Sequence, residues 1–307
     1  MTHSRRDITT LLEEHSLSPR RAFGQNFVAD PNTVRRIARL AGVGPGDHVV
    51  EIGGGLGSLT LALAETGARV TAIEIDHGIA PVLRAVTADL ENVTVVEGDA
   101  LTLDWAPLVA GSSVNSSPPN GLSLDSSSLD GSSRVTVVAN LPYNVATPLV
   151  ADLLDTVPQI DRFVVMVQRE VALRLAASAG SSDYGAISVK VAYWGTARIL
   201  GDVPPTVFVP RPKVTSSIIE ITRRAEPAVG DVSPTELFTL VRRAFGQRRK
   251  MLRRSLADFV TPEQFAAAQV SPEARPEQLD VVAWGRLAKV VATKQVHTKQ
   301  LHDGTTT

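Results

Sequence analysis

The chain has 307 residues, of which 43% are apolar and 21% charged, a composition typical of a globular protein. It has no cysteine, which excludes disulfides, thiol nucleophiles and cysteine-ligated zinc, and its six histidines show no metal-ligand spacing. No apolar run approaches the ~20 residues of a membrane span, and no signal peptide is evident. These features predict a cytoplasmic protein without a metal, long enough for two domains.

Charge is sorted along the chain. The formal net charge of −1 argues against a uniformly basic nucleic-acid binder. Residues 242–254 nevertheless contain seven Lys and Arg and no acidic residue.

The first two thirds of the chain alternate between strand-like and helix-like segments. After helical segments at 8–15 and about 31–40, β-branched and apolar runs predict strands separated by helices. This alternation implies parallel βαβ units and a doubly wound sheet, an α/β fold. The predicted strands are 47–52, 69–75, 93–97, 135–139, 162–167, 186–193 and 213–222, and the predicted helices between them are 59–65, 78–90, 147–154 and 170–178.

Two regions depart from the alternation. Residues 111–133 include ten serines and two adjacent prolines, and such a segment predicts a disordered insert. After residue 224 only helices are predicted, at 235–245, 248–259, 262–268 and 281–292. The sequence therefore predicts an α/β domain over 1–224, a linker over 225–233, a helical domain over 234–292 and a frayed tail over 293–307.

A glycine-rich turn follows the first strand of the sheet. Gly53, Gly55 and Gly57 let the backbone approach a nucleotide, and Glu74, at the end of the next strand, suits two ribose hydroxyls. Ser58 stands where a dinucleotide motif has its third glycine, which favours S-adenosylmethionine over NAD. Asp99 ends the third strand and either bonds the adenine amino group or caps a helix. A tight turn without ligand is the alternative interpretation.

A second polar rim follows the strand at 135–139. Asn140 and the adjoining backbone carbonyl can accept both hydrogens of an exocyclic amino group. Pro142 stiffens the turn, and Tyr143 offers a flat face on which a purine can stack. An ordinary strand-to-helix loop is the alternative.

Seven motifs in order resemble those of a known family. They are FGQNF (23–27), EIG (51–53), EID (74–76), GDA (98–100), NLPY (140–143), PRPKVTSS (210–217) and FGQRRK (245–250). Together they resemble the small-subunit (16S) ribosomal RNA adenine N6-dimethyltransferases from about residue 20 to 292, except in the insert. The resemblance implies a Rossmann-like class I S-adenosylmethionine-dependent methyltransferase sheet with a small helical C-terminal domain.

The resemblance also implies the reaction. Two methyl groups pass from S-adenosylmethionine to N6 of each of two adjacent adenosines in a hairpin loop near the 3′ end of small-subunit rRNA. The product of the cofactor is S-adenosylhomocysteine, no metal is involved, and the partner is 16S rRNA within an assembling 30S subunit. The enzyme is expected to be a monomer with a role in small-subunit biogenesis.

Site residues follow from the resemblance position by position. The implied cofactor residues are Gln25, Asn26 and Val28 at the methionine end, Gly53 and Gly55 beneath it, Glu74 on the ribose, Asp99 and Ala100 at the adenine, with Ile75 and Asn140 also in this site. The implied catalytic residues are Asn140, Leu141, Pro142, Tyr143 and Phe208. Tyr143 and Phe208 are expected to hold the target ring, although a core aromatic is an equal alternative for Phe208. Gly54 and Val28 depart from the family, which commonly has Pro and Leu there.

The basic stretch predicts phosphate contacts through Arg248, Arg249, Lys250 and Arg253, extended by Arg5, Arg6, Arg20 and Arg21. A solvated helix face is the alternative. For the whole chain, one alternative is the related large-subunit rRNA adenine methyltransferases of the macrolide-resistance type, which usually have Ile at the position of Leu141. Another is a ribosome assembly factor whose binding matters more than its catalysis.

Overall fold

A computed structural model describes residues 2–20, 24–110, 134–143 and 145–303, with side chains as far as 293. The serine-rich segment 111–133, Arg21 and Phe23 lie outside the described residues. The chain divides into two compact units, the first formed by residues 1–172 and 198–223 and the second by 173–197 and 224–307. No described helix is both long enough and apolar enough to cross a membrane.

The first unit is built on a seven-stranded sheet, which confirms the predicted α/β fold. The strands are β1 (Phe27–Val28), β2 (His48–Ile52), β3 (Arg69–Glu74), β4 (Val93–Glu97), β5 (Val135–Asn140), β6 (Ile160–Gln168), β7 (Gly195–Val203), β8 (Phe208–Val209) and β9 (Ser216–Arg223). Their order in the sheet is β4-β3-β2-β5-β6-β9-β7, with the neighbours from β4 to β6 parallel and β9 antiparallel to β6. A separate antiparallel pair joins β1 to β8.

Short helices connect and cover these strands, and a run of helices follows them. The helices are α1 (Arg5–Glu14), α2 (Pro31–Ala41), α3 (Ser58–Ala64), α4 (Ala80–Val86), α5 (Trp105–Ala110), α6 (Ala146–Thr156), α7 (Arg169–Leu175), α8 (Ala186–Trp194), α9 (Pro234–Phe245), α10 (Leu252–Ser255), α11 (Pro262–Ala267) and α12 (Val281–Asp303). Helix α12 thus continues beyond Thr293, where the sequence predicted a frayed tail.

Strand register brings the candidate residues to one edge of the sheet. Ile52 of β2 is paired with Ile73 of β3 on one side and with Ala139 of β5 on the other. The glycine turn after β2, Glu74 at the end of β3 and Asn140 at the end of β5 therefore lie at the same level of three adjacent strands. Carboxyl ends of parallel strands are where open α/β sheets bind ligands.

Two predicted elements are wrong. Residues 186–193 form α8 and not a strand, because Val189 and Tyr193, one helical turn apart, both enter the core of the second unit. Residues 248–259 do not form one helix, and only the short α10 lies within them. The Leu252 and Arg253 N–H groups donate to the carbonyls of Ala274 and Pro272, so they are not available for a continuous helix.

The second unit has its own apolar core. Buried side chains include Trp284, Leu287, Phe238 and Leu252, which come from the C-terminal helices. Tyr184, Val189 and Tyr193 belong to the same cluster, which explains why residues 173–197 group with these helices. Sequence reasoning assigned this segment to the α/β domain, because it precedes strands of the sheet along the chain.

A buried histidine gives the first unit a testable pH dependence. His48 is 3% exposed and its Nε2 lies 3.0 Å from Thr71 Oγ1. Burial, reinforced by the charge of Arg69, lowers the pKa of the imidazole to about 4. Between pH 4 and about 6.5 the unfolded chain therefore binds a proton that the folded chain does not, so stability falls on acidification.

We expect His48→Gln to remove this dependence. The free energy of unfolding of the wild type should fall, relative to that of the variant, by a few kcal/mol, of order 3, as pH falls from about 6.5 to 4. Urea denaturation across this range measures it. Buried carboxyls, such as Glu51, titrate in both proteins, so their contributions to the difference cancel. A difference that is independent of pH would contradict the assignment.

Candidate active site

Two adjoining cavities open at the carboxyl ends of β2, β3 and β5. They share Gly53, Ile75, Leu141 and Pro142. The first is also lined by Gly24, Gln25, Asn26, Phe27, Gly55, Glu74, Asn140 and Tyr143. The second is also lined by Ile52, Ile73, Gly98, Asp99, Ala100, Leu101, Val145 and Leu149. The structure thus brings most of the predicted site residues together.

The glycine turn forms the floor of the first cavity. Gly53 and Gly55 have φ of 79° and 56°, a region that disfavours other residues. A Cβ on Gly55 would lie 3.2 Å from Phe27 Cδ1. At Gly54 a Cβ would lie 2.6 Å from Leu83 Cδ2, so any side chain there requires Leu83 to move. Gly54, which stands where the family commonly has proline, therefore packs closely against Leu83 of α4.

Glu74 closes one side of this floor. Its Oε2 accepts the Gly55 N–H at 2.7 Å and its Oε1 accepts the Asp76 N–H at 2.9 Å. The residue is 4% exposed, and burial raises the pKa of the carboxyl despite these two donors. Each carboxylate oxygen has two lone pairs, so acceptor capacity remains for hydroxyls that enter the cavity.

A loop ahead of β1 forms another wall of the first cavity. Gln25 Nε2 donates to Asp76 Oδ2 at 2.9 Å, and Gln25 Oε1 accepts the Arg20 N–H at 2.7 Å. Arg20 Nη1 also lies 3.5 Å from Asp76 Oδ1. Sequence reasoning missed Asp76 as the anchor of this wall, although it is the third residue of the EID motif. Arg20, expected at an RNA surface, instead pairs with this buried carboxylate.

Asn140 is held in one amide orientation. Its Nδ2 donates to the Asn26 carbonyl at 2.9 Å. A carbonyl can only accept, so the amide nitrogen must face Asn26 and Oδ1 must face the other way. The following Leu141 N–H donates to the Met166 carbonyl at 3.0 Å, which fixes the backbone after Asn140.

Tyr143 is tethered at its far end. Its hydroxyl lies 3.1 Å from Ser216 Oγ, at the start of β9. The sequence offers no signal for this contact, because the two residues are 73 positions apart.

The second cavity has one carboxylate and apolar walls. Asp99 Oδ1 accepts the Leu101 N–H at 3.0 Å, so this side chain caps a turn and not a helix. Asp99 also lines the cavity. Ile75 and Leu101 are 37% and 41% exposed, unusual for apolar side chains of this size. Both line the second cavity and give it apolar surface that suits a flat ring. Sequence reasoning missed Leu101, Val145 and Leu149.

Phe208 and Val28 are not among the residues that line either cavity. They are paired across β1 and β8, are 1% and 4% exposed, and pack in the core with Ile37 and Val164. The structure thus places Phe208 in the core, as its alternative interpretation had it, with Val28 beside it, and a role for either residue at the substrate ring or the cofactor stays a prediction. Both are core residues because β1 pairs with β8 and the two side chains pack in one apolar cluster with residues of α2 and β6. Arg5 stabilises this arrangement by donating to the Phe208 and Thr206 carbonyls.

The basic stretch of the second unit contains two kinds of arginine. Arg248 is engaged within the unit: Nη2 donates to the Ser182 carbonyl at 2.7 Å and Nε lies 3.7 Å from Glu277 Oε2. Arg249, Lys250 and Arg253 are exposed. The structure thus separates Arg248 from the other three residues that were predicted to bind RNA.

Comparisons with known proteins agree with this geometry. A family model described as ribosomal RNA adenine dimethylase matches residues 17–293. The ribosomal RNA small subunit methyltransferase A of Bifidobacterium longum subsp. infantis is 43% identical over 300 residues, 93% of this chain and 92% of that protein. The 23S rRNA methyltransferase ErmE is 26% identical with a TM-score of 0.61, covering 87% of this chain and 100% of that one. A dimethyladenosine transferase from Plasmodium falciparum, at 22% identity, has a TM-score of 0.65, covers 87% and 97% respectively, and supports the fold alone.

Proposed function

The chain belongs to the ribosomal RNA adenine dimethylase family, and on that premise we propose that it methylates N6 of two adjacent adenosines in a hairpin loop near the 3′ end of 16S rRNA. The methyl donor is S-adenosylmethionine, and the substrate is the rRNA of an assembling 30S subunit. The observation that carries the proposal is the Asn140 amide, whose anchored Nδ2 leaves Oδ1 as an acceptor for an amine.

The residues present fit this cofactor. Glu74 offers carboxylate oxygens to ribose hydroxyls, and the glycine turn and the Gln25–Asn26 wall leave room for a methionine moiety. Ile75 and Leu101 suit the two faces of an adenine, with Asp99 at its amino edge. When bound, the cofactor supplies an electrophilic methyl group on a sulfonium.

Catalysis follows from what the NLPY residues do to the target base. A loop adenosine is easily unstacked, and Tyr143 provides a surface for its ring. Asn140 Oδ1 and the Leu141 carbonyl accept the two N6 hydrogens, which draws the nitrogen lone pair out of conjugation. The nitrogen would take the methyl carbon as its bond to the sulfonium sulfur breaks, leaving S-adenosylhomocysteine, and would lose one proton to solvent. Positioning supplies most of the rate, and no covalent enzyme intermediate is required.

The choice of subunit rests on the relatives and on the chain's own motifs. The relative at 43% identity is a small subunit methyltransferase, whereas the 23S enzyme is 26% identical. Leu141 and the 245–250 motif favour the same choice. Tritiated methyl transfer to undermodified 30S and 50S subunits tests it. Label in the 30S subunit supports the proposal, and label in the 50S subunit alone would favour the large-subunit alternative.

Substrate selection requires more than the base pocket, because a loop adenosine occurs in countless RNAs. We assign phosphate contacts to Arg249, Lys250 and Arg253, which are exposed and lie in a stretch without carboxylates. Replacing all three with Ala should weaken rRNA binding and reduce the slope of log affinity against log salt by about 2 to 3, at about 0.7–0.9 per contact. Filter binding over a salt series measures this slope.

Arg248→Ala is the matched control. Its guanidinium is already engaged by Ser182 and Glu277, so its loss should lower the melting temperature while leaving the salt slope near the wild-type value. Cofactor affinity should be unchanged in both variants. An unaltered salt slope in the triple variant would contradict the phosphate contacts and favour the alternative, in which the basic stretch is a solvated surface.

The assembly-factor alternative is separable from catalysis. A variant that binds 30S subunits but transfers no methyl group, such as Asn140→Ala, can be expressed in cells that lack the enzyme. Restored subunit assembly without methylation would favour a role in which binding matters more than catalysis. We expect methylation of assembling subunits to far exceed that of an isolated hairpin.

A further inference from the structure

A contact between two of the sequence motifs links Tyr143 of NLPY to Ser216, at the start of β9. The Tyr143 hydroxyl and Ser216 Oγ are 3.1 Å apart, within hydrogen-bond distance. Ser216 is 1% exposed, so its hydroxyl is shielded from water, whereas the Tyr143 ring lines the open cavity. Either oxygen can be the donor.

The position of Ser216 is fixed by its strand. Ser216 is paired with Gln168 of β6, and the carbonyl of the preceding Thr215 accepts the Arg169 N–H at 3.0 Å. Pairing with β6 therefore holds the Ser216 Cα, and because the side chain is buried its hydroxyl can adopt few rotamers. By contrast, Tyr143 lies in the turn after Asn140, where no strand holds it.

A ring that must stack on a flipped base gains from such a tether. Tyrosine has two side-chain torsions, and fixing the distal oxygen removes the freedom of the ring to swing away from the cavity. Without the tether the ring still presents an aromatic face, but it meets the base in the productive orientation less often.

We propose that Ser216 is a positioning residue for methyl transfer, which holds the Tyr143 ring in the orientation that receives the target adenine. This inference rests on the proposed function of Tyr143. Ser216 touches neither substrate nor cofactor in this role and acts through the tyrosine hydroxyl.

The test combines five variants with single-turnover methyl transfer to undermodified 30S subunits at saturating cofactor. Ser216→Ala should slow transfer by about two- to tenfold, the value of one hydrogen bond, with unchanged affinity for S-adenosylmethionine. Tyr143→Phe keeps the ring and removes the same bond, so it should show a similar loss. The double variant should be no slower than either single variant, because the bond is lost only once.

Ser217→Ala is the matched control for the loss of a buried serine hydroxyl. Ser217 is 0% exposed, adjoins Ser216 on β9, and donates to Asp202 Oδ1 at 2.6 Å instead of facing Tyr143. It should lower the melting temperature without slowing single-turnover transfer. A purely structural role for Ser216 predicts the same behaviour, a lower melting temperature with an unchanged rate, and that result would overturn the inference.

Tyr143→Ala separates the inference from the function on which it rests. If this variant transfers methyl groups slowly while Ser216→Ala is normal, the stacking role stands and the positioning role falls. If Tyr143→Ala transfers at the normal rate, both fall. Losses from Ser216→Ala and Tyr143→Phe that multiply in the double variant would also overturn the inference.

Discussion

Asn140→Ala is expected to reduce single-turnover methyl transfer at least about a hundredfold, which is the scale for removing one hydrogen-bonding group that acts in the transition state. The Asn140 amide is oriented by the Asn26 carbonyl, so its Oδ1 faces away from Asn26 and, in the proposed reaction, accepts from the N6 amine. Affinity for S-adenosylmethionine should fall only modestly, because the glycine turn and Glu74 are untouched. Rapid-quench transfer assays and calorimetry separate the two effects.

Asn140→Asp is an informative companion. It keeps an acceptor oxygen but turns a second oxygen toward the Asn26 carbonyl, where the amide donated before. Repulsion should displace the side chain, so this variant should also be slow although an acceptor is present. Near-normal turnover by a folded Asn140→Ala protein would falsify the mechanism.

Glu74→Ala is expected to weaken S-adenosylmethionine binding by about 10- to 150-fold, corresponding to about 1.5–3 kcal/mol for a hydrogen bond to a charged group. The variant also leaves the Gly55 and Asp76 N–H groups without their acceptor, so the glycine turn should be less well ordered. Because burial raises the pKa of Glu74, wild-type affinity should decline on acidification at a higher pH than for an ordinary glutamate.

Glu97→Ala is the control for removing a carboxylate from a neighbouring strand end. Glu97 ends β4, pairs with Arg84 at 2.9 Å and is not among the residues that line the cavities. Calorimetry should show wild-type affinity for this variant. Unchanged affinity in Glu74→Ala would reject the cofactor site.

The fold and the floor of the site could be predicted because both depend on local sequence. β-Branched runs form the parallel strands, and the register of β2 with β3 and β5 brings Gly53, Glu74 and Asn140 to one edge. Gly53 directly follows β2, and Glu74 and Asn140 are the last residues of β3 and β5, so the topology of the sheet determines where the three meet.

Other features could not be predicted because they depend on long-range packing. An aromatic between prolines, as at Phe208, suits an exposed loop and a core anchor equally, and only pairing with Val28 decides between them. Residues 186–193 suit a strand or a buried helix, since a short apolar run does not discriminate between the two. In the sequence, Arg248 is indistinguishable from the other six Lys and Arg of residues 242–254, and only its contacts with Ser182 and Glu277 set it apart.

The most direct test of the account is to map the methyl groups that the purified protein adds to undermodified 30S subunits. Nuclease digestion and mass spectrometry of the 16S rRNA should find N6,N6-dimethyladenosine at two adjacent positions in a hairpin loop near the 3′ end. Four methyl groups per subunit should be transferred at completion, which follows from two on each adenosine in the proposed reaction. Methylation elsewhere in 16S rRNA, or transfer that stops at one methyl group per adenosine, would contradict it.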